Sequence, residues 1–179
     1  RLASDAGLAA ALPAVSAAAA SIAGPGHRSV ATVGGNLCVD TRCVYYNQSE
    51  WWRKANGYCL KHRGDTCHVA PTGTRCHAAY QGDLAPALIA CGASVELAGP
   101  RGTRTIAPED LYRDDGLAPL ALEPGELVVA VAVPAQPRGA MSAYRKARAR
   151  GAIDFPLAGV AVRLAVDHGR IAAIDVALT

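Results

Sequence analysis

The chain has 179 residues, of which 51% are hydrophobic and 18% charged, and its formal net charge is +3. This composition excludes intrinsic disorder, because the chain has enough apolar surface to bury a core. It also excludes a membrane span, since the least polar stretch, residues 9–26, is rich in alanine and lacks the roughly 20 strongly apolar residues that cross a bilayer. Because the sequence begins with Arg1 rather than Met, we expect part of the protein to precede it.

The first 36 residues predict a helix followed by an extended segment and a turn. Leu12 to Ile22 is typical of an alanine-rich helix, with Pro13 near its start and Gly24 just past its end. Arg28 to Val33 is short and partly β-branched, so it predicts an extended segment. This segment leads into Gly34-Gly35-Asn36, which predicts a turn with exposed backbone.

Residues 38–77 differ in composition from the rest of the chain. They include six basic and three acidic side chains, so this segment carries the whole formal net charge. They also include three of the five histidines and five of the nine aromatic residues. We interpret the segment as an insertion with its own organising principle, called the basic insertion below, and we expect Trp51 and Trp52 to shield it.

The remainder of the chain predicts helices and strands in an α+β arrangement with a mixed or antiparallel sheet. Asp83 is a candidate N-cap for a helix that ends near Gly92. Pro134, Pro137 and Gly139 predict a linker between a domain of residues 1–135 and the start of a second domain, residues 138–179. The predicted strands and turns are a hairpin of Val95–Leu97 with Thr103–Ile106, a helical turn at Pro108–Asp110, and strands at Leu127–Val133, Met141–Ala147, Gly159–Val166 and Ile171–Leu178.

The chain has six cysteines, at positions 38, 43, 59, 67, 76 and 91. An even number allows three disulfides, but a core this apolar does not need them, and Cys38 and Cys91 are more simply small buried side chains. The four cysteines well inside the basic insertion suit either a tetrahedral zinc site or a cubane iron–sulfur cluster. Their spacing matches neither paired zinc knuckles nor the tight run of a bacterial ferredoxin, so it leaves both open. These four are Cys43, Cys59, Cys67 and Cys76.

The predicted glycine turn is a candidate binding site for a phosphate group. Gly34 and Gly35 let a ligand approach the backbone N–H groups, and Thr32 and Asn36 supply side-chain hydrogen bonds. Asp83 can accept a hydrogen bond from a ribose hydroxyl or cap the helix that follows it. A single Gly-Gly-Asn sequence is more often an ordinary turn, so these residues alone do not identify the ligand.

Four motifs in order identify the chain as a member of a known family. They resemble the flavin-binding subunits of the xanthine dehydrogenase and carbon monoxide dehydrogenase family, and they are Ala31–Leu37, Gly82–Leu88, Gly125–Val128 with the run to Pro134, and Ala143–Ala147. The resemblance implies the fold of that FAD-binding domain, without its N-terminal FAD loop, and the start of a small C-terminal domain. It implies FAD contacts from Thr32, Gly34, Gly35, Asn36, Asp83, Val128 and Lys146.

The basic insertion resembles a particular branch of this family. Leu37–Cys43, Tyr46–Trp52 and Gly64–Pro71 are similar to segments in the β subunits of 4-hydroxybenzoyl-CoA reductases. Those subunits carry an extra [4Fe–4S] cluster on four cysteines of the insertion. The resemblance therefore implies that Cys43, Cys59, Cys67 and Cys76 hold such a cluster.

The resemblance implies an electron-transfer subunit of a cytoplasmic molybdenum enzyme that reduces 4-hydroxybenzoyl-CoA to benzoyl-CoA. The implied partners are a molybdopterin-binding large subunit, a small subunit with [2Fe–2S] clusters, and an acidic ferredoxin as electron donor, with no nucleic acid and no membrane. The substrate site then lies on another subunit, so no catalytic residue is expected here. We expect the ferredoxin to dock near Arg53, Lys54, Lys61 and Arg63.

Two alternatives remain open from the sequence. The chain can be the flavin subunit of another molybdenum hydroxylase, one that oxidises an aromatic substrate. A function of a different class is a zinc-stabilised module that uses the basic insertion to bind nucleic acid or an acidic protein.

Overall fold

Short helices dominate the first half of the chain and two small sheets the second half, in a computed structural model that describes residues 2–179. The α-helices are α1 (Ala6–Ala11), α2 (Pro13–Ser21), α3 (Pro25–Val30), α4 (Val33–Leu37), α5 (Glu50–Ala55) and α6 (Leu84–Ala90), and short 3₁₀ helices span Leu2–Ser4 and Pro108–Leu111. The strands are β1 (Ser94–Gly99), β2 (Gly102–Ile106), β3 (Leu127–Ala132), β4 (Met141–Ala147), β5 (Ala158–Asp167) and β6 (Arg170–Leu178).

Helices α2 and α6 form the centre of the molecule and confirm the two longer helices predicted from sequence. Pro13 occupies the first turn of α2, where its missing N–H is not needed. Helix α6 is buried along almost its whole length, and it contacts α2, β5 and β6. Because α6 is apolar on all sides, it can be stable only inside a core.

The prediction of an extended segment at Arg28–Val33 is wrong. The chain forms two short helices there, α3 and α4, separated by extended Ala31 and Thr32. Pro25 begins α3 because its fixed φ suits a first helical position. The Thr32 hydroxyl then caps α4 by accepting a hydrogen bond from the Gly35 N–H at 2.9 Å.

Each sheet has three antiparallel strands, which agrees with the antiparallel alternative predicted from sequence. The first has the order β2-β1-β3, with Val95 opposite Ile106 in the predicted hairpin and Leu97 opposite Val128. The second has the order β4-β5-β6 and includes all three strands predicted after the linker. Residues 133–140, between the sheets, contain no helix or strand. The division into domains 1–135 and 138–179 stays a prediction.

A single hydrophobic cluster connects these elements. It includes side chains from α2, α6 and β1, and Tyr144, Ala161 and Ala177 from the second sheet. Leu37, the last residue of α4, is fully buried in the same cluster. The second sheet thus packs onto the helices rather than standing apart. Within residues 2–179, no helix is long and apolar enough to cross a membrane.

A buried ion pair lies between the central helices and the second sheet. The Lys146 ammonium is 2.9 Å from the Asp83 carboxylate, and both side chains are at most 5% exposed. The Tyr144 hydroxyl donates to the same carboxylate at 2.9 Å, and the Ser21 hydroxyl donates to it at 3.1 Å. These contacts join the end of α2, the start of α6 and strand β4.

Replacing Lys146 by Met leaves the Asp83 carboxylate buried without its counter-charge. We expect this variant to lose about 3–5 kcal/mol of unfolding free energy, the range found when one partner of a buried pair is removed. The double variant Asp83→Asn with Lys146→Met should lose less than the sum of the two single losses, because the buried charge is gone. Chemical denaturation measures all three values.

Arg145→Met is the matched control, since Arg145 is the exposed neighbour of Lys146 on β4. Its unfolding free energy should stay within about 0.5 kcal/mol of the wild-type value. Strict additivity of the two core substitutions would contradict a direct interaction between Asp83 and Lys146.

Candidate functional site

The basic insertion is closed at its base by the chain on either side of it. Arg42 and Ala79 exchange two backbone hydrogen bonds of 2.9 Å, so the start and the end of the insertion pair with each other. The Thr41 hydroxyl donates to the Gly116 carbonyl at 2.7 Å, and the Gly116 N–H donates to the Cys76 carbonyl at 2.8 Å. The loop of residues 112–120 is therefore hydrogen-bonded to both ends of the insertion and holds it in place.

The structure brings the four predicted metal ligands together around one small cavity. Cys59, Cys67 and Cys76 are buried, and Cys43 is half-buried. The aromatic and apolar lining leaves no acidic side chain in the cavity wall. The complete lining is Cys43, Tyr45, Tyr46, Cys59, Leu60, Lys61, Cys67, His68, Val69, Cys76 and Ala78.

Tight turns hold the cysteines in place without regular secondary structure. The Asn47 side chain accepts a hydrogen bond from the Cys43 N–H at 2.8 Å. The carbonyl of Cys59 accepts from the N–H groups of His62 and Gly64 at 2.8 and 3.1 Å. A Cβ atom at Gly64 would lie 2.7 Å from the Cys59 backbone nitrogen, so only glycine allows this turn to close.

Backbone N–H groups point at two of the sulfurs. Burial raises the pKa of the Cys67 thiol, but N–H groups of His77, Ala70 and Val69 oppose it and hold that pKa below its usual range. Burial raises the pKa of the Cys76 thiol, and this effect exceeds the opposing contributions of the Ala78 N–H and the Lys61 ammonium. Hydrogen bonds to sulfur of this kind are among the features that tune iron–sulfur clusters.

Two of the alternatives for the cysteines do not agree with the structure. All six cysteines are free thiols, which overturns the possibility of three disulfides. No group of three or more His, Cys, Asp or Glu side chains among residues 2–179 is arranged to hold a single metal ion.

The prediction of a turn at Gly34-Gly35-Asn36 is wrong, because these residues lie inside the short helix α4, which the Thr32 hydroxyl caps. The segment Thr32–Asn36, still called the glycine turn, lies at the surface. A Cβ atom at Gly34 would lie 3.2 Å from the Val128 carbonyl oxygen, so this glycine allows the turn to pack against β3. Val128 thus lies directly behind the turn. Thr32 and Gly35 are exposed, and their hydrogen bond shapes the turn from the outside. Among the first N–H groups of α4, that of Gly35 donates to the Thr32 hydroxyl, and those of Val33 and Gly34 have no partner within the helix.

Asn36 connects the turn to helix α6. Its side-chain oxygen accepts a hydrogen bond from the Leu84 N–H at 2.9 Å, and its backbone carbonyl accepts from the Tyr80 hydroxyl at 3.0 Å. A Cβ atom at Gly82 would overlap the Tyr80 hydroxyl, so this contact requires glycine there. Asn36, rather than Asp83, therefore caps α6.

The expected N-cap role of Asp83 is wrong. Its side chain makes no cap hydrogen bond, because its carboxylate turns inward to Lys146, Tyr144 and Ser21. Asp83 and Asn36 also line one cleft of about 510 Å³, which Arg42 of the basic insertion and Phe155 bound on the other side. Lys146 lies behind this cleft, with its ammonium on Asp83 rather than in the opening.

Two tyrosines that sequence reasoning missed lie between the glycine turn and the base of the insertion. The rings of Tyr80 and Tyr112 are 4.6 Å apart, and their hydroxyl groups are 3.1 Å apart. The Tyr112 hydroxyl also donates to the Leu37 carbonyl at the end of α4. Burial, as the largest cause, raises the pKa of both tyrosines far above the usual range. Nothing in the sequence around Tyr112 indicates this pairing.

The four cations expected to dock a redox partner are not equally available. The Lys61 side chain is only 6% exposed, so the docking prediction is wrong for that residue. Arg53 is largely covered and pairs with Glu50 at 3.0 Å. Lys54 is exposed, and Arg63 is 65% exposed although it also contacts Glu50.

The tryptophans of the basic insertion also differ from each other. Trp51 is 77% exposed, so the expectation that it shields the insertion is wrong. Trp52 is half-buried and faces Tyr45, with ring centroids 6.3 Å apart. Helix α5 thus presents Trp51 outward, next to Lys54.

Curated relatives of the chain are FAD-binding and medium subunits. The chain is 38% identical over 155 residues to the aldehyde oxidoreductase FAD-binding subunit of Escherichia coli K12, which covers 81% of this chain and 48% of that protein. It is 39% identical over 99 residues to the carbon monoxide dehydrogenase medium chain of Afipia carboxidovorans, covering 55% of this chain and 33% of that protein. The chain thus spans about half the length, or less, of these relatives.

Solved structures show the same fold. A chain of the Cu,Mo-containing CO dehydrogenase superposes with a TM-score of 0.69 and 29% identity, covering 99% of this chain and 48% of that one. A family of FAD-binding domains in molybdopterin dehydrogenases matches residues 1–136. These findings confirm the family resemblance expected from the four motifs. The chain therefore belongs to the family of FAD-binding domains found in molybdopterin dehydrogenases.

Proposed function

We propose that the chain is the FAD-binding part of the flavin subunit of a molybdenum enzyme, and that it carries a [4Fe–4S] cluster in the basic insertion. Membership of the family supports FAD binding. The convergence of Cys43, Cys59, Cys67 and Cys76 on one cavity is the observation that carries the cluster. The names of the relatives mention FAD or carbon monoxide but no [4Fe–4S] cluster. The proposal of a cluster is therefore supported by the cysteines of this chain and not by its relatives.

The exposed glycine turn and the cleft beside it are the surface on which FAD would bind. Phosphate oxygens accept hydrogen bonds from backbone N–H groups such as those of Val33 and Gly34, and the Thr32 hydroxyl can donate another. Asn36 lines the adjoining cleft, where its side-chain amide would face the sugar, while Asp83 lies at the back of the cleft with its carboxylate bound to Lys146, Tyr144 and Ser21. Val128 supports the turn from behind, and Lys146 holds Asp83 in place. Bound FAD supplies the ability to accept and release electrons.

The cysteine cavity has three properties that suit an iron–sulfur cluster. It offers four thiols, its walls are mostly apolar or aromatic, and backbone N–H groups point at Cys67 and Cys76. Because metal binding offsets the entropy lost by ordering a long loop, a cluster also accounts for an ordered insertion whose regular structure is one short helix, α5. When bound, the cluster supplies one-electron transfer between an external donor and the flavin.

The complete enzyme, in this proposal, reductively removes the phenolic hydroxyl of 4-hydroxybenzoyl-CoA and yields benzoyl-CoA. A molybdopterin-binding large subunit holds the substrate, and a small subunit with [2Fe–2S] clusters passes electrons to it. The similarity of Leu37–Cys43, Tyr46–Trp52 and Gly64–Pro71 to segments of 4-hydroxybenzoyl-CoA reductases supports this activity. The alternative is an oxidative molybdenum hydroxylase, which the similarity to an aldehyde oxidoreductase subunit favours. Purified holoenzyme distinguishes the two by whether it reduces 4-hydroxybenzoyl-CoA or oxidises an aldehyde.

The electron donor in this proposal is an acidic ferredoxin in the cytoplasm. Helix α5 offers an exposed aromatic ring at Trp51 and an exposed cation at Lys54, and Arg63 adds a second accessible cation. An acidic partner would be steered to this surface at low ionic strength. Val69, which lines the cysteine cavity, is itself exposed, so the cavity wall is thin there.

The Thr32 hydroxyl can be tested for FAD binding with two substitutions. Thr32→Val removes the hydroxyl, so we expect the dissociation constant of FAD to rise by roughly 10- to 100-fold, as for a hydrogen bond to a charged group. Thr32→Ser keeps the hydroxyl and should bind FAD as the wild type does. Flavin fluorescence titration of the full-length subunit measures both constants. Equal affinity in the Val variant would contradict a phosphate contact at Thr32.

Single replacement of Cys43, Cys59, Cys67 or Cys76 by Ser should abolish the cluster, since a hydroxyl is a poor ligand for iron. The expected readouts are loss of about four iron atoms per chain and of the broad visible absorption of the cluster. Cys38→Ser and Cys91→Ser are the matched controls, because both thiols lie outside the cavity. Retention of iron in Cys59→Ser together with its loss in Cys91→Ser would show that different cysteines bind it.

Charge reversal at Lys54 and Arg63 tests the docking surface. The double variant with Glu at both positions should slow reduction by an acidic ferredoxin at low salt, and the effect should shrink as salt screens the charges. Reduction by a small neutral dye should be unaffected. Stopped-flow measurements at several ionic strengths give both rates. If both donors slow equally, the substitutions have damaged the cluster, and if neither slows, the partner binds elsewhere.

A further inference from the structure

Lys61 is a buried cation beside the cysteine cavity. It follows Cys59 by two residues, within the turn that closes at Gly64. Its ammonium donates to the Asp40 carboxylate at 2.7 Å, the Thr41 hydroxyl at 2.5 Å and the Gly116 carbonyl at 2.7 Å. All three of its donors therefore have partners, which fixes the charge in one place.

Lys61 places a positive charge at the wall of the cysteine cavity. The side chain is part of the cavity lining, together with the four cysteines. The ammonium also lies 5.1 Å from the centre of the Tyr46 ring, which forms another part of that wall.

The counter-charge of Lys61 faces away from the cavity. Asp40 is 61% exposed and does not line the cavity, so water screens its carboxylate more strongly than it screens the buried ammonium. The two charges therefore cancel only in part, and the pair contributes a positive potential on the cavity side.

Apart from His68, the other acidic and basic side chains near the cavity do not line it. Arg53, His62 and Arg63 gather around the exposed carboxylate of Glu50 on the outside of the insertion. Asp115 accepts hydrogen bonds from the N–H groups of Cys76 and Leu117, and its negative charge opposes that of Lys61 at Cys76. Lys61 is thus the cation that the fold holds against the cavity.

We infer that Lys61 raises the reduction potential of the [4Fe–4S] cluster held by Cys43, Cys59, Cys67 and Cys76. This inference rests on the proposed function, because it concerns the cluster assigned to that cavity. Reduction adds one electron to a centre that already carries the negative charge of four thiolates. A fixed cation stabilises the more negative, reduced form more than the oxidised form, which makes the cluster easier to reduce.

The test is a redox titration of the assembled holoenzyme, followed by the electron paramagnetic resonance signal of the reduced [4Fe–4S] cluster. Lys61→Gln removes the charge and keeps a polar side chain. We expect it to weaken reduction of the cluster by about tenfold, which corresponds to a midpoint about 59 mV more negative for one electron. Lys61→Arg keeps the charge and should leave the midpoint close to the wild-type value.

Asp40→Asn gives a shift of the opposite sign. It removes the counter-charge but keeps the oxygen that accepts from the Thr41 N–H, so the midpoint should become less negative. A purely structural role for Lys61 would not produce this reversal. Lys54→Gln is the matched control, since it removes an exposed cation from the same insertion and should shift the midpoint much less.

The possible outcomes distinguish the presence of the cluster from the effect of Lys61 on its potential. A wild-type holoenzyme without a [4Fe–4S] signal overturns the proposed cluster and this inference with it. A normal signal with an unchanged midpoint in Lys61→Gln, or with an equal shift in Lys54→Gln, overturns the role of Lys61 alone. If Lys61→Gln fails to assemble the cluster, Asp40→Asn decides, and an unshifted or more negative midpoint there overturns the role.

Discussion

The buried pair of Asp83 and Lys146 is the contact on which the arrangement of the molecule depends. These residues are 63 positions apart, and their interaction joins the start of α6 to β4, with Ser21 from the end of α2. Two charges in a core are costly unless they neutralise each other and find further hydrogen bonds, so the pair tolerates little displacement. It thereby sets the orientation of α6, whose first N–H group binds Asn36 beside the glycine turn.

The loop of residues 112–120 connects the two candidate cofactor sites. At its start, Tyr112 contacts Tyr80 and the end of α4, which carries the glycine turn. Farther along, Gly116 bonds to the backbone of Cys76 and to the side chains of Thr41 and Lys61. A Cβ atom at Gly116 would lie 2.7 Å from the Ala78 carbonyl oxygen, so the close approach requires glycine. One short loop therefore fixes the position of the basic insertion relative to the glycine turn.

The basic insertion shows how a segment without a sheet or a long helix can still place side chains accurately. Its two ends pair through Arg42 and Ala79, which converts about forty residues into a closed loop. Inside that loop, tight turns point the cysteines inward while α5 presents Trp51 outward. The basic side chains of the insertion also lie on both sides, because Lys61 is buried beside the cavity and Lys54 is exposed on the outside.

The sequence alone determined the family, the strands after the insertion and the four cysteines that share a cavity, because each depends on local pattern or on motif order. It failed at Arg28–Val33, where Pro25 and the Thr32 cap outweigh β-branched residues, and at Asp83, whose local position suggests a helix cap. Only the tertiary structure decided that Asp83 binds Lys146, that Asn36 caps α6, and that Lys61 is buried. These contacts join residues about 20 to 63 positions apart, and no local pattern encodes which distant partner a polar side chain will meet.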